Sequence, residues 1–504
     1  MKLTLPRLVT AITFIAIFTM AARISADTDT WWHLRTGQWI VEHHAVPMTD
    51  PFSYTRLGAD WRFPGWLAQV LMYGLYSTLG YAGLNLFTAF FVTLTFLFVY
   101  LTCEGHPLLK AFTLVLAATA SGVYWSARPQ IISFALAGSF SYVLWLFRWR
   151  GINRLWVLPL LMAVWANVHG GFAIGFILIA LTLAGQTLTW VWRRLSHWAL
   201  VPGVERPPGD VDVRGLVWLA GTGLVCAAAV AVNPAGPVML LYPFKTVSIG
   251  VLQDFIQEWQ SPNFHLLMVQ PFLWLLFATL AATAWSRRGI DLTDWLTVGG
   301  VAYLGFAAGR NVALLAVVAP PVLTHHLQAG WEDLKARTPR WGQLIRLSSA
   351  PPRGAMLALN WLVLVVVAAA ALAKVALVVP ASVNETALAK VVPMDAAAFV
   401  LRTRPPGKLF NSYNFGAYLM WALYPAYPVF VDGRTDLYND QFLRGYLDVM
   451  LARPGYQTTL DGYGVNVVLV EADAVLANRL ADDPAWRKAY ADSVAVVYER
   501  EQKP

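Results

Sequence analysis

The chain has 504 residues, of which 57% are hydrophobic and only 13% charged. A soluble domain carries about 25% charged residues, so this composition excludes an ordinary soluble globular protein and points to an α-helical polytopic membrane protein. The formal net charge of +8 does not imply a nucleic-acid partner, because the basic residues fall mostly in short loops between apolar spans, where membrane topology accounts for them.

The first apolar stretch, Leu8 to Ile24, follows Lys2 and Arg7. A basic flank of that kind resembles a signal peptide. Ile24-Ser25-Ala26 is only a weak cleavage site and more spans follow, so the stretch reads as an uncleaved first helix. A long loop, 25–81, comes next and opens with Asp27-Thr28-Asp29-Thr30-Trp31-Trp32-His33-Leu34. Within it, 64–79 is apolar but broken by Gln69 and Gly74, and is expected to lie along the membrane interface. Further spans are expected at 82–101, 110–126, 131–147, 155–168, 171–191, 215–232, 271–286, 292–309, 312–327 and 355–379. At roughly 20 residues per crossing these make about 11 spans. A Pro/Gly-rich loop, Pro202–Gly209, separates two of them. The 23 Trp and 19 Tyr suit aromatic belts at the two interfaces. Cys103 and Cys226 lie in or beside spans and offer neither a disulfide framework nor a thiolate metal site.

Loop charges set the orientation. One side receives Lys2, Arg7, Lys110, Arg148, Arg150, Arg154, Arg193, Arg194, Arg287, Arg288, Lys335, Arg337, Arg340, Arg346 and Arg353. The other receives only Arg35, Arg56, Arg62, Arg128, Lys245 and Arg310 before the C-terminal region. This alternation places the N-terminus in the cytoplasm of a cell with a cytoplasmic (inner) membrane. It places loop 25–81, loop 233–270 and everything after about residue 380 outside. The chain thus divides into a membrane domain, 1–379, and a small extracytoplasmic α/β domain, 380–504. In the latter, Lys408–Ser412, Pro428–Asp432, Val465–Val470 and Ser493–Tyr498 read as strands. Phe415–Leu423, Asp440–Leu451 and Ala474–Leu480 read as helices, and the alternation favours a partly parallel sheet.

Unusual polar residues gather at the outer ends of the spans. Asp27, Asp29, His33 and Arg35 follow the first span. Arg128 and Gln130 flank the third, in Ala127-Arg128-Pro129-Gln130, and His169 ends the fifth, in Trp165-Ala166-Asn167-Val168-His169-Gly170-Gly171. Asn233 follows the seventh, Glu258 lies in the next outer loop, and Arg310 and Asn311 end the ninth. Each has a plain structural reading: arginines snorkelling to headgroups, His169 bonding between helices, Asn233-Pro234 stopping a helix, Asp27 or Asp29 capping one. Ionisable groups near hydrocarbon are costly and usually line a cavity, and a shared outer cavity accounts for all of them at once. Two carboxylates there can hold a divalent cation (Mg or Mn) or take a proton from an acceptor hydroxyl. In the C-terminal region Asn411, Tyr413, Asp432, Arg434, Asp436 and Tyr438 cluster at expected strand ends, where α/β sheets place ligands. Asp432-Gly433-Arg434 alternatively forms a tight turn with an ion pair.

The plan resembles the C-type fold of membrane glycosyltransferases (GT-C), which includes protein O-mannosyltransferases, aminoarabinose transferases and catalytic subunits of oligosaccharyltransferases. The likeness covers the whole chain as a plan but only the first loop as a motif, where the family's acidic pair maps onto Asp27 and Asp29. The strings Asp50-Pro51-Phe52-Ser53-Tyr54, Trp165–Gly171 and Val431-Asp432-Gly433-Arg434 are similar to a group of bacterial multi-spanning proteins that brings no established activity. The chain lacks the Trp-Trp-Asp-type motif of oligosaccharyltransferases, which argues against protein N-glycosylation. The resemblance implies a polyprenyl-phosphate-linked sugar donor, transferred with inversion to a glycan, lipid or protein acceptor at the outer leaflet. Asp29 is then the first choice as base and Asp27 the second. His33, Arg35, Arg128, Gln130, His169, Glu258, Arg310 and Asn311 are the candidate substrate-binding residues, with Arg128 and Arg310 suited to phosphate. Rival readings are a transporter or flippase of a lipid-linked glycan, and a non-catalytic membrane protein whose C-terminal domain binds a partner.

Overall fold

A computed structural model describes residues 3–195, 209–338 and 353–501. Lys2, Arg340, Arg346 and nearly all of the Pro202–Gly209 loop lie outside the described residues.

Each expected span is a helix: α1 (Leu5–Ala21), α4 (Tyr81–Thr102), α5 (Pro107–Ser121), α6 (Gln130–Trp149), α7 (Val157–Val168), α8 (Ala173–Leu195), α9 (Val213–Val230), α12 (Pro271–Trp285), α13 (Leu292–Ala307), α14 (Val312–Arg337) and α15 (Ala355–Val378). Seven helices among the described residues are long and apolar enough to cross a membrane unaided, while α1, α7 and α12 are shorter apolar helices. Helix α7 covers about 18 Å at 1.5 Å per residue, short of a full hydrocarbon core. The chain is a polytopic helical membrane protein. Helix α6 forms the centre of the bundle, buried along most of its length. Helix α15 has a single buried residue, Asn360, whose side chain donates to the Leu3 carbonyl at 2.9 Å. Higher on the same helix, the Lys374 ammonium donates to the Thr19 and Ala22 carbonyls, satisfying acceptors that the end of α1 leaves unpaired.

The first loop folds as two packed helices, α2 (Thr30–His43) and α3 (Trp66–Leu79). The loop between α9 and α12 carries two short helices, α10 (Tyr242–Val247) and α11 (Gly250–Phe255), and a helical turn over Gln257–Trp259.

Beyond α15 come α16 (Ala381–Leu388), α17 (Met394–Thr403), β1 (Lys408–Asn411), α18 (Tyr413–Leu423), α19 (Asp440–Met450), α20 (Tyr456–Tyr463), β2 (Val465–Glu471), α21 (Val475–Ala481), β3 (Trp486–Ala491) and β4 (Ala495–Arg500). The sheet order is β1-β2-β4-β3, with β1 and β2 parallel and the other pairs antiparallel. Two expectations need correction. The outer strand β3 was not foreseen, because Trp486–Ala491 alternates only weakly. Pro428–Asp432 is not a strand of the sheet. The Asn411 side chain takes the place of a ladder neighbour, accepting from the Phe430 N–H at 2.8 Å and donating to the Val431 carbonyl at 2.7 Å. That segment pairs instead with the first loop, through a bridge between Ser53 and Val429.

The join continues in side chains. Arg434 Nη1 donates to Asp50 Oδ1 at 2.6 Å, and its Nε and Nη2 fork onto Asp432 at 2.8 and 2.7 Å. Asp432 also accepts from the Tyr438 hydroxyl at 3.1 Å. The guanidinium lies over the Phe52 and Trp61 rings, at 5.3 and 4.6 Å. All three charged side chains of this triad have zero exposure. The C-terminal region is thereby fastened to the first loop.

Candidate functional site

The site starts where α1 ends. Asp27 Oδ1 accepts from the Asp29 backbone N–H at 2.9 Å, a local turn that starts α2 and presents both carboxylates on one side. Arg128, in the loop leading into α6, reaches them from across the bundle. Its Nη1 lies 3.5 Å from Asp27 and 2.7 Å from Glu258, and its Nη2 lies 3.2 Å from Asp29. One guanidinium therefore faces three carboxylates, and it cannot neutralise them all. Glu258 holds the best of it. Burial works against its charge, but Arg128's charge and hydrogen bond outweigh burial and keep it below the usual carboxylate range. Asp29 is left short. Burial, opposed by Arg128 and reinforced by Asp27 and Glu258, pushes its carboxyl up to about 7. Its side chain keeps 26% exposure.

Asp29 lines a cavity of about 380 Å³ at the end of the bundle that carries the first loop. His33, Arg128, Gln130, His169, Glu258, Arg310, Asn311, Tyr413 and Asp436 line it too. His169 sits between α7 and α8. Its Nδ1 accepts from the Gly171 N–H at 3.0 Å and lies 2.8 Å from Ser133 Oγ, which itself accepts from Trp165 Nε1 at 2.7 Å. With Nδ1 committed as an acceptor, the neutral ring carries its proton on Nε2. Burial, with Arg310 and Arg128 nearby, holds the His169 pKa down at about 3, so this ring stays a neutral donor. His33 is likewise kept neutral, by burial and by Arg128. Arg310 lies 4.3 Å over the Trp259 ring and makes no hydrogen bond or ion pair with the described residues. It is a cation on the cavity wall, within the field of Glu258.

Several candidates lie elsewhere. Arg35 is turned away, donating to Gln38 at 2.7 Å and to the Tyr424 carbonyl at 2.8 Å. Asn411 is spent on the backbone of 430–431, and Asp432 and Arg434 form the buried triad with Asp50. These four are engaged by groups of the protein itself and do not line the cavity. Arg128, expected to fork onto phosphate, is occupied by carboxylates. Asp27, Asp29 and Glu258 are the groups a Mg or Mn ion would need, but they converge on Arg128, and among the described residues no group of three or more His, Cys, Asp or Glu is arranged to hold a metal. As placed, the three carboxylates share the Arg128 guanidinium.

Sequence reasoning missed Tyr242, Phe63 and Gly433, all on the cavity wall. Gly433 had a signal in its Asp-Gly-Arg setting. A Cβ there would sit 2.2 Å from Asp29 Oδ1, so only glycine lets the C-terminal region close over that carboxylate. A smaller cavity of about 80 Å³ lies at the far end of α6, about 30 Å away along the helix. Its Arg148 is bound by Asp291 at 2.6 Å and Asp294 at 2.7 Å, leaving no comparable free charge.

No protein-family model matches the chain, and no curated protein matches it. Solved structures do match in fold. The oligosaccharyltransferase AglB from Archaeoglobus fulgidus, in complex with an inhibitory peptide and a dolichol-phosphate, superposes with a TM-score of 0.57 over 92% of this chain and 69% of that one, at 12% identity. ArnT from Cupriavidus metallidurans bound to undecaprenyl phosphate superposes with a TM-score of 0.51 over 97% of each chain, at 13% identity. The chain therefore shares its fold with these two membrane proteins over nearly all of its length. At these identities the likeness is one of fold.

Proposed function

We propose that the chain is a membrane glycosyltransferase that moves a sugar from a polyprenyl-phosphate donor to an acceptor hydroxyl at the outer face of the cytoplasmic membrane. The observation that carries this reading is Asp29. It is a carboxyl poised near neutral pH in a cavity that also holds an uncommitted arginine, in a fold shared with proteins solved with dolichol-phosphate and undecaprenyl phosphate.

The chemistry follows from the placement. The donor phosphate enters at headgroup level and pairs with Arg310 as a fork. The His169 Nε2–H supplies a neutral donor on the same cavity. The acceptor hydroxyl passes its proton to Asp29 while its oxygen bonds to the anomeric carbon. The bond from that carbon to the phosphate oxygen breaks, and its electron pair leaves with the polyprenyl phosphate. Attack opposite the leaving group inverts the anomeric centre. Phosphate leaves readily, so one base and a fixed positive field suffice. Arg128 keeps Glu258 ionised beside Asp29, and burial, with the charge of Asp27 and Glu258, keeps Asp29 basic.

Asp29→Asn tests this directly. With polyprenyl-phosphate sugars extracted from membranes as donors, sugar transfer by the purified chain should fall about 10²–10⁴-fold, with folding intact. Undiminished transfer by a well-folded Asp29→Asn variant would remove Asp29 as the base.

A further inference from the structure

The segment Gly433–Asp436 runs along one side of the cavity between the two poles of the proposed reaction. At one end Gly433 packs against the Asp29 carboxylate. At the other, the Tyr242 hydroxyl hydrogen-bonds the Asp436 carboxylate, which also feels the charge of Lys245, and Tyr242 feels the charge of Arg310. Gly170 makes room for that ring, since a Cβ there would lie 2.6 Å from Tyr242 Cε1. The wall that adjoins it is aromatic. Trp32 meets Phe63 edge-on at 5.0 Å, and Phe63 meets Tyr242 edge-on at 6.3 Å. Trp32 is buried, lines the cavity, and its Nε1–H has no hydrogen-bond partner. That nitrogen lies 3.5 Å from where a side chain on Gly433 would begin. Asp436 makes no ion pair among the described residues.

A sugar bridging a phosphate on Arg310 and an acceptor at Asp29 would lie in the cavity against the rim that this segment and this wall share. A pyranose or furanose ring offers a C–H face to an aromatic surface and hydroxyls to a carboxylate and an indole N–H. Resting on the glycosyltransferase reading above, we infer that Asp436, with Trp32, binds the hydroxyls of the donor sugar and sets which sugar the site accepts. Burial pushes the Asp436 carboxyl up to about 6, so at neutral pH it is mainly ionised and acts as a hydrogen-bond acceptor for those hydroxyls.

Binding to the full chain in detergent tests this, with undecaprenyl phosphate and undecaprenyl phosphates bearing a hexose or a pentose as probes. Wild type should bind at least one sugar-bearing lipid more tightly than bare undecaprenyl phosphate. Asp436→Ala should lose about tenfold to a hundredfold of affinity for that sugar lipid and none for undecaprenyl phosphate. Arg310→Ala should weaken both. Trp32→Phe, which keeps the ring and removes the N–H, repeats the test should Asp436→Ala fail to fold. Equal loss for both lipids, no loss for either, or a wild type indifferent to the sugar overturns the inference while leaving the lipid-phosphate reading in place. A wild type that binds no probe removes that reading and the inference with it.

Discussion

Asp29 shows how one residue gets its character from its neighbours' demands. A carboxylate 3.2 Å from a guanidinium ordinarily titrates low. Here the guanidinium is shared three ways and Glu258 takes the larger part. Because the base works deprotonated, transfer should rise with pH through about 7 and level off above about 8, and a rate profile of the purified chain checks this. A rate flat between about pH 6 and about 8 would contradict it. The stability contribution has the opposite sign. The folded site favours the neutral acid, so this group's contribution is complete below the ordinary carboxylate range and is lost as pH rises through about 7. At this scale the sequence was partly legible. An acidic pair against a span end, and polar residues at neighbouring ends, marked Asp29, Arg128, His169 and Arg310, all of which line the cavity except where Arg128 is drawn among the carboxylates. What could not be read was partnership. Arg128 and Arg310 look alike in sequence, but one is held by three carboxylates and the other, among the described residues, only stacks on Trp259, and only the fold decides that.

Among elements, the informative one is the segment 428–432. In sequence it reads as a strand, being β-branched and aromatic. Its neighbour is not the sheet but the first loop, and the bond is the Asp50–Arg434–Asp432 triad. Asp50-Pro51-Phe52-Ser53-Tyr54 and Val431-Asp432-Gly433-Arg434, separate strings in the chain, are the two halves of this one junction. Their pairing spans nearly 400 positions, and no local periodicity encodes it. Removing one partner of a buried ion group leaves the other charges uncompensated. Arg434→Ala should therefore cost about 3–5 kcal/mol, read as loss of folded protein in a thermal or denaturant series in detergent. A change within about 0.5 kcal/mol would be that of an ordinary surface site and would show that the triad does not hold the junction.

For the whole molecule, hydropathy located the long helices to within about five residues at each end, because each crossing must bury its own backbone hydrogen bonds and advertises this as an apolar run. The exception is α14, which runs ten residues past its expected end, to Arg337. The sheet was less legible, with β3 and helices α16, α17 and α20 missed, since short amphipathic elements on a packed surface carry weak patterns. The charge asymmetry of the loops makes a prediction about orientation. Cysteine placed at the exposed Asp482 (Asp482→Cys) should react with a membrane-impermeant maleimide in intact cells. Cysteine placed at the exposed Arg154 (Arg154→Cys) should react only after lysis. The reverse pattern would invert the proposed orientation and put the cavity on the cytoplasmic face.

Gly433 carries one more consequence. The carboxylate it covers belongs to the first loop, which a ribosome delivers to the membrane early, whereas Gly433 arrives only after the last long helix. Until then Asp29 lacks the cover that Gly433 gives it. The nascent protein should thus pass through insertion with its bundle assembled and its chemistry off, and become competent to handle lipid-linked sugar only when the final stretch of chain has docked.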